Sequence, residues 1–449
     1  MTGIKECILY RDFADGQILD SLTELMLRYP VRPQAGTPAF RQEGPAAAVS
    51  EEDREIFYRC LAGLVERGGA YGFEGNLWHD YLTLLLVNHE NAFSLASEIR
   101  GEVGGSLSTL ALHDFSRIKA LFDYPLQRLD EVFQTSCCSL ILDYHSADES
   151  GRMYNRRIRN RICELARTLA SSADPEEFRN DMLRFYKEFG VGKLGLHKAF
   201  RIAHHENGQV CIEPITRIAH VQLEDLVGME AAKKKLIENT EAFVQGRKAN
   251  NCLLFGDAGT GKSSSVKGIL NRYYDQGLRI IEIYKHQFQD LNEVISQIKD
   301  RNYRFIIFMD DLSFEEFEIE YKYLKAVIEG GLEKKPDNIL IYATSNRRNL
   351  VREKFSDKLE LEDENDLHSS DTVQEKHSLA YRFGVRIYFE SPNRKEFENI
   401  VRVLAARNGM EIDEKELLYQ ANQWELSHGG YTGRTAQQFI DHLAGTLHS

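Results

Sequence analysis

Eight consecutive residues, GDAGTGKS at 256–263, hold the most specific chemistry in the chain. Their spacing is G-x-x-x-x-G-K-[ST], and they stand between an apolar run, NCLLF, and a helical pattern. In that setting Gly256, Gly259 and Gly261 let the backbone curl so that successive N–H groups face a polyphosphate. Asp257, Ala258 and Thr260 fill the positions between them, and Ser264 follows in the first helical turn, where the dipole favours an anion. Lys262 would reach the outer phosphates of ATP, and Ser263 would hold Mg²⁺. A chance glycine-rich turn is the bland alternative, and it predicts neither the strand before nor the helix after.

An acidic pair is the second element. The run FIIFMDDLSF at 305–314 ends its apolar part at Asp310 and Asp311. Asp310 would bind Mg²⁺ through water or via Ser263, because a hard cation takes oxygen ligands and keeps several waters. Asp311 would stand where the attacking water must be oriented. Its side chain is one methylene shorter than the glutamate commoner at that place, so backbone or water must come closer for it to accept a proton. A helix N-cap pair suits two aspartates equally well, but it predicts no phosphate loop nearby.

These residues need a rigid frame, and the pattern around them supplies one. Apolar strands (CLLF, RIIEIY, RFIIFM, NILIYAT, VRIYFE) alternate with helical patterns at 262–274, 291–300 and 316–330. That alternation predicts a parallel sheet covered on both faces. Residues 393–447 return to helix. Upstream, periodic apolar stretches at 18–29, 52–66, 79–98, 107–122, 128–144 and 152–171 predict a mostly helical N-terminal region. Between the two, KAFRIAHHENGQVCIEPI at 198–215 reads as a β-hairpin turning at Glu206-Asn207-Gly208, a joint between domains.

Further landmarks carry a resemblance. NILIYATSNRRNL is similar to the sensor-1 strand of AAA+ ATPases, with Asn346 at its polar tip. SLAYRFGVRIYF resembles their box VII, whose arginine matches Arg382, and YTGRTAQQFIDHL resembles sensor 2, with Gly433-Arg434 opening a lid helix. Together with LVG, the phosphate loop and DDLSFE, these landmarks cover the chain from about 198 to 447. The wording of ANNCLLFGDAGTGKSSSVKGIL and EKHSLAYRFG is similar to a bacterial AAA+ group, domain-of-unknown-function family 815. In that family the acidic pair is also two aspartates.

The resemblance implies an α/β P-loop core with a five-stranded parallel sheet between helices and a helical lid. The domains are then 1–190 helical, 191–220 hairpin and linker, 221–392 nucleotide-binding and 393–449 lid. It also implies roles: Asn346 orients water, Arg434 senses nucleotide from the lid, and Arg382 is an arginine finger entering a neighbouring copy's site, as in a homo-oligomer. Arg347 and Arg348 are alternative fingers.

Composition bounds the rest. A chain of 449 residues, 42% hydrophobic and with only 9 prolines, is expected to form two or three globular domains. No apolar run approaches the length of a membrane span. The opening MTGIKECILYRDF lacks the form of a secretory signal, so a cytoplasmic protein is expected. Seven cysteines without a C-x-x-C pair suit reduced thiols, with Cys137, Cys138 and Cys252 read as packing residues. A net charge of −13 opposes general attraction to nucleic acid.

Arginines at 152, 156, 157, 159, 161 and 167 form a candidate nucleic-acid face, or more simply snorkel from a helix packed through Met153, Ile158, Ile162 and Leu165. The triple lysine at 233–235 reads as a solvated helix face, and the acidic stretch 355–376 as a solvated loop. His204-His205-Glu206 has no zinc spacing. Function is therefore expected to be Mg-ATP hydrolysis at an intersubunit site, acting on a protein or nucleic-acid partner. The rival is a nucleotide-gated adaptor or loader with slow hydrolysis.

Overall fold

The computed structural model describes residues 4–30, 49–146, 156–216, 218, 219, 221–314, 318–329, 336–346, 350 and 379–447. Arg347, Arg348, Arg152, Met153 and the acidic stretch 355–376 lie outside the described residues. The chain divides into two compact units, Met1–His197 and Lys198–Ser449.

The first unit is helical. Its longer helices are Gln17–Arg28, Glu51–Tyr71, Leu77–Asn88, Ala92–Arg100, Gly105–Phe122, Arg156–Ser171 and Pro175–Phe189. Leu77–Asn88 is buried almost all round and carries Trp78 and Tyr81 into a core shared with Phe57, Phe115 and Phe178. The expected single stretch 79–98 is two helices. His89 closes the first, its N–H bonded to the Leu86 carbonyl, and Asn91 caps the second, accepting from the N–H groups of Phe93 and Ser94 at 2.9 Å. The stretch 128–144 breaks likewise at Gln134, whose φ of 55° ends Arg128–Phe133 in a left-handed cap. Pro175–Phe189 starts on the Asp174 side chain with proline in its first turn.

In Arg156–Ser171, Ile158, Ile162 and Leu165 are buried, and Arg161 lies 4.2 Å from the Phe189 ring centroid. Arg159 is itself buried.

The second unit is built on a seven-stranded sheet. Its strands are β1 (Ala199–His204), β2 (Val210–Pro214), β3 (Cys252–Gly256), β4 (Leu278–Glu282), β5 (Arg304–Met309), β6 (Ile339–Ser345) and β7 (Val385–Phe389). They lie in the order β2-β1-β4-β5-β6-β3-β7. All neighbours run parallel except β1 and β2, which form the hairpin. The five expected strands are β3 to β7. The hairpin at 198–215 continues their sheet, because the buried Phe200 and Ile202 of β1 give it an apolar face to lay beside β4.

Strands β4, β5 and β6 are buried almost throughout, as strands covered on both faces must be. Cys252 is fully buried within β3. Three helices, Arg394–Arg407, Glu414–His428 and Gly433–Leu447, form a separate core around Phe397, Val401, Ala421 and Ile440.

One expectation fails on Glu230–Val244. Lys233 is not part of a solvated face: its ammonium is buried, donating to the Leu226 carbonyl at 2.6 Å and pairing with Glu230. The helix starts at Met229 in the left-handed region, and Lys233 ties that start to the preceding loop.

Candidate functional site

The strand order places the polar groups. β6 lies between the phosphate-loop strand β3 and the acidic strand β5, so the carboxyl ends of all three open into one cleft of about 780 Å³. That volume is in the range of small-ligand sites, and the place is where parallel α/β sheets bind ligands.

The loop after β3 is shaped by close approaches. Gly256 has a φ of 141°, and a Cβ there would lie 2.0 Å from the Phe389 carbonyl oxygen on β7. Gly259, at φ 78°, would place a Cβ 2.9 Å from Thr432 Oγ1 and 3.1 Å from Arg434 Cβ. The first glycine is thus required by the sheet and the second by the lid. The lid contact is direct, since the Arg434 N–H donates to the Gly259 carbonyl at 3.3 Å. Asp257 accepts from Ser391 Oγ at 2.7 Å, and Thr260 donates to the Asp257 carbonyl at 2.8 Å.

The Lys262 ammonium folds back into the loop, donating to the carbonyls of Gly256 at 2.8 Å and Asp257 at 2.6 Å. Burial pushes its pKa below the ordinary lysine value, while the charges of Asp257, Asp311 and Asp310 pull the other way.

Opposite the loop, Ser263 Oγ donates to Asp310 Oδ1 at 2.6 Å, and Asn346 Nδ2 donates to Asp311 Oδ1 at 2.7 Å. The serine and aspartate form an all-oxygen donor pair, which fits a hard cation such as Mg²⁺ that fills its remaining positions with water and phosphate oxygens. Among the described residues no cluster of three or more His, Cys, Asp or Glu side chains is placed to hold a metal.

The cleft takes in the loop residues 258–264 with Asp310, Asp311, Asn346 and Arg434. Gly256 and Asp257 shape the loop without lining it, and Arg382 is also not among the lining residues. Arg382 sits half-buried in the turn before β7, its N–H bonded to the Leu379 carbonyl at 3.1 Å.

Thr344, Ser391 and, in an apolar wall, Met229 and the residues from 393–447 were not singled out from sequence, whereas LVG at 226–228 was. Thr344 of β6 is buried beside the acidic pair, and its side chain bonds both aspartates. Ser391 holds Asp257. Leu226, Val227 and Met229 form an apolar wall with Ile400 and Leu404 of the lid. Their loop is held by Arg407, which donates to the Asp225 and Glu224 carbonyls at 2.6 and 3.0 Å. The polar tip of ATSN is a sequence signal for Thr344, but its partners follow only from strand order.

The family model of a protein of unknown function, DUF815, matches residues 196–447. The chain belongs to this family. No curated protein matches it. Among solved structures, the DUF815 chain is similar to the RuvB Holliday junction branch migration motor of Thermotoga maritima. The two are 15% identical, with 49% of this chain and 72% of that one covered, at a TM-score of 0.32. For a single-residue mutant of that motor the values are 17%, 50%, 66% and 0.36, so the chain spans just under two thirds of its length. For the FIGL-1 AAA domain in complex with ADP they are 20%, 49%, 71% and 0.33. The second unit of this DUF815 protein is an α/β unit with a mostly parallel seven-stranded sheet and the GDAGTGKS loop after β3, and a helical unit precedes it in the chain. No helix among the described residues is long and apolar enough to cross a membrane.

Proposed function

We propose that the second unit binds Mg-ATP in this cleft and hydrolyses it at an interface between copies of the chain, using the change to act on a protein or nucleic-acid partner. The observation that carries the reading is the meeting of Ser263 and Asp310 at 2.6 Å opposite the Lys262 loop. The loop N–H groups and Lys262 would hold the phosphates, Lys262 exchanging its carbonyl partners for phosphate oxygens. The apolar wall at Leu226, Val227 and Met229 suits a flat base. Ser263 and Asp310 would hold Mg²⁺, which when bound offsets phosphate charge.

Asp311, steadied by Asn346, would orient and deprotonate water, and Arg434 would report nucleotide to the lid. Arg382, not among the residues lining its own cleft and set in the turn before the edge strand β7, would act in a neighbouring copy's site as the finger.

The test is paired. Lys262→Ala should lose nucleotide binding and turnover, whereas Arg382→Ala should keep binding and lose turnover. Normal turnover by Arg382→Ala would remove the intersubunit site from the reading.

A second reading, a nucleotide-gated switch with slow hydrolysis, is favoured by one observation. Asp311 Oδ1 is already taken by the Asn346 amide, a hydrogen bond that the carboxylate must share or give up to receive a proton from water.

A further inference from the structure

Consecutive residues of an extended strand point to opposite faces, yet Asp310 and Asp311 both line the cleft. The backbone resolves the conflict. Asp311 has a φ of 51°, a left-handed conformation that an aspartate adopts at a modest cost, and the chain turns there so that both carboxylates reach one side. Something must hold that turn, and the register identifies it. Met309 of β5 pairs with Ala343 of β6, so the next residue of each strand, Asp310 and Thr344, stand side by side.

We propose that Thr344 is the positioning residue of the acidic pair, a single hydroxyl that sets Asp310 for the cation and Asp311 for water. This rests on the Mg-ATP reading of the cleft. Its Oγ1 donates to Asp310 Oδ1 at 2.5 Å and accepts the Asp311 N–H at 2.9 Å. A hydroxyl has one proton to give and lone pairs to receive, so the two bonds use it in opposite senses and fix its orientation. The β-branched side chain is stiff at χ1 and only 1% exposed, so it has little freedom to swing away. The Leu312 N–H also donates to the Thr344 carbonyl at 2.7 Å, closing the turn from its far side.

Asp310 Oδ1 thus accepts from Ser263 on the loop and from Thr344 on the sheet, which ties the metal-side carboxylate to both walls. The turn at Asp311 brings its carboxylate to Asn346, and this offsets the missing methylene by moving the backbone instead of lengthening the side chain. Thr344 need touch neither nucleotide nor water to do this. Its influence passes through the two aspartates.

The experiment compares Thr344→Val, nearly isosteric but without the hydroxyl, with Thr344→Ser, which restores it. Two readouts are taken on the full chain: the affinity of a fluorescent ATP analogue as Mg²⁺ is titrated, and kcat against KM for ATP. Thr344→Val should bind the analogue like wild type without Mg²⁺, need roughly tenfold more Mg²⁺ for the same gain in affinity, and lose roughly tenfold or more in kcat with KM little changed, the usual scale for a partner of a metal-binding carboxylate. Thr344→Ser should return both to within about threefold of wild type, the remainder reflecting its freer χ1.

A wild-type Mg²⁺ response in Thr344→Val, or a serine variant as impaired as the valine one, would overturn the proposal. If valine impairs folding, Thr344→Ala is read against the serine variant in the same way. The Mg²⁺ titration reads binding alone, so it judges Thr344 even if the chain turns over no ATP. Failure of the nucleotide reading itself is seen separately, as unchanged analogue binding in Lys262→Ala.

Discussion

The two units use carboxylates in opposite ways. In the helical unit Asp114 is fully buried and accepts the backbone N–H groups of Ile8, Leu9 and Tyr10 at 2.6 to 3.0 Å. Asp130 similarly accepts from Cys138 and Ser139. In the second unit Asp310 and Asp311 are exposed at strand ends, and side chains hold their carboxylates: Ser263, Thr344 and Asn346. A carboxylate taken up chiefly by backbone N–H groups, with the Ser139 hydroxyl added at Asp130 and the His113 ring at Asp114, has little to exchange and serves the fold. One held by hydroxyls and an amide at a cleft can trade partners for a cation or a water, which is the role we propose for Asp310 and Asp311.

That distinction can be broken. Asp114→Ala leaves the buried Tyr10 N–H and the part-buried Ile8 and Leu9 N–H groups without their acceptor, and we expect it to destabilise the helical unit by about 3 kcal/mol in thermal or denaturant unfolding. Nucleotide binding by the second unit should be unchanged. A loss below about 1 kcal/mol would remove the structural half of the comparison.

Asp80 sharpens it. It is buried, its Oδ2 has no hydrogen-bond partner among the described residues, and burial pushes its pKa up to about 7 against the opposing pull of Cys163 and Arg167. With a folded pKa above the unfolded one, the native state holds the extra proton between about pH 4 and 7. Stability should therefore fall as pH rises through that window, by on the order of 4 kcal/mol in total. Asp80→Asn should flatten that slope and make the unit more stable than wild type at pH 8. An unchanged slope in the variant would show that Asp80 is not its source.

Gly259→Ala probes the cleft on a smaller scale. The new Cβ would meet Thr432 and Arg434 at a φ that disfavours alanine, so we expect a cost of about 1 to 2 kcal/mol and a weaker grip on nucleotide. The paired variant Thr432→Ala should relieve part of it if the lid contact is the cause.

Much of the second unit was legible in the chain because parallel strands buried on both faces leave near-continuous apolar runs, and CLLF, RFIIFM and NILIYAT are such runs. The phosphate loop was legible because its spacing is dictated by local backbone geometry. Strand order is not local, and so the partnership of Thr344 with both aspartates, made possible by β6 lying between β3 and β5, could not be read from spacing. Nor could the left-handed turn at Asp311. Lys233 was misread because three adjacent lysines look alike in sequence, while helix periodicity buries just one of them against the Leu226 carbonyl. The helix breaks at Asn91 and Gln134 came from caps whose signals are single residues inside longer apolar periodicities.

We propose that Asp311, brought to the cleft by its backbone turn, is the base for hydrolysis. Single-turnover ATP hydrolysis by wild type and Asp311→Asn, at saturating Mg²⁺ and with nucleotide binding verified for both, addresses it most directly. We expect the variant to bind ATP and to hydrolyse it about a hundredfold more slowly or worse. Equal rates would contradict the account and leave the cleft as a nucleotide switch.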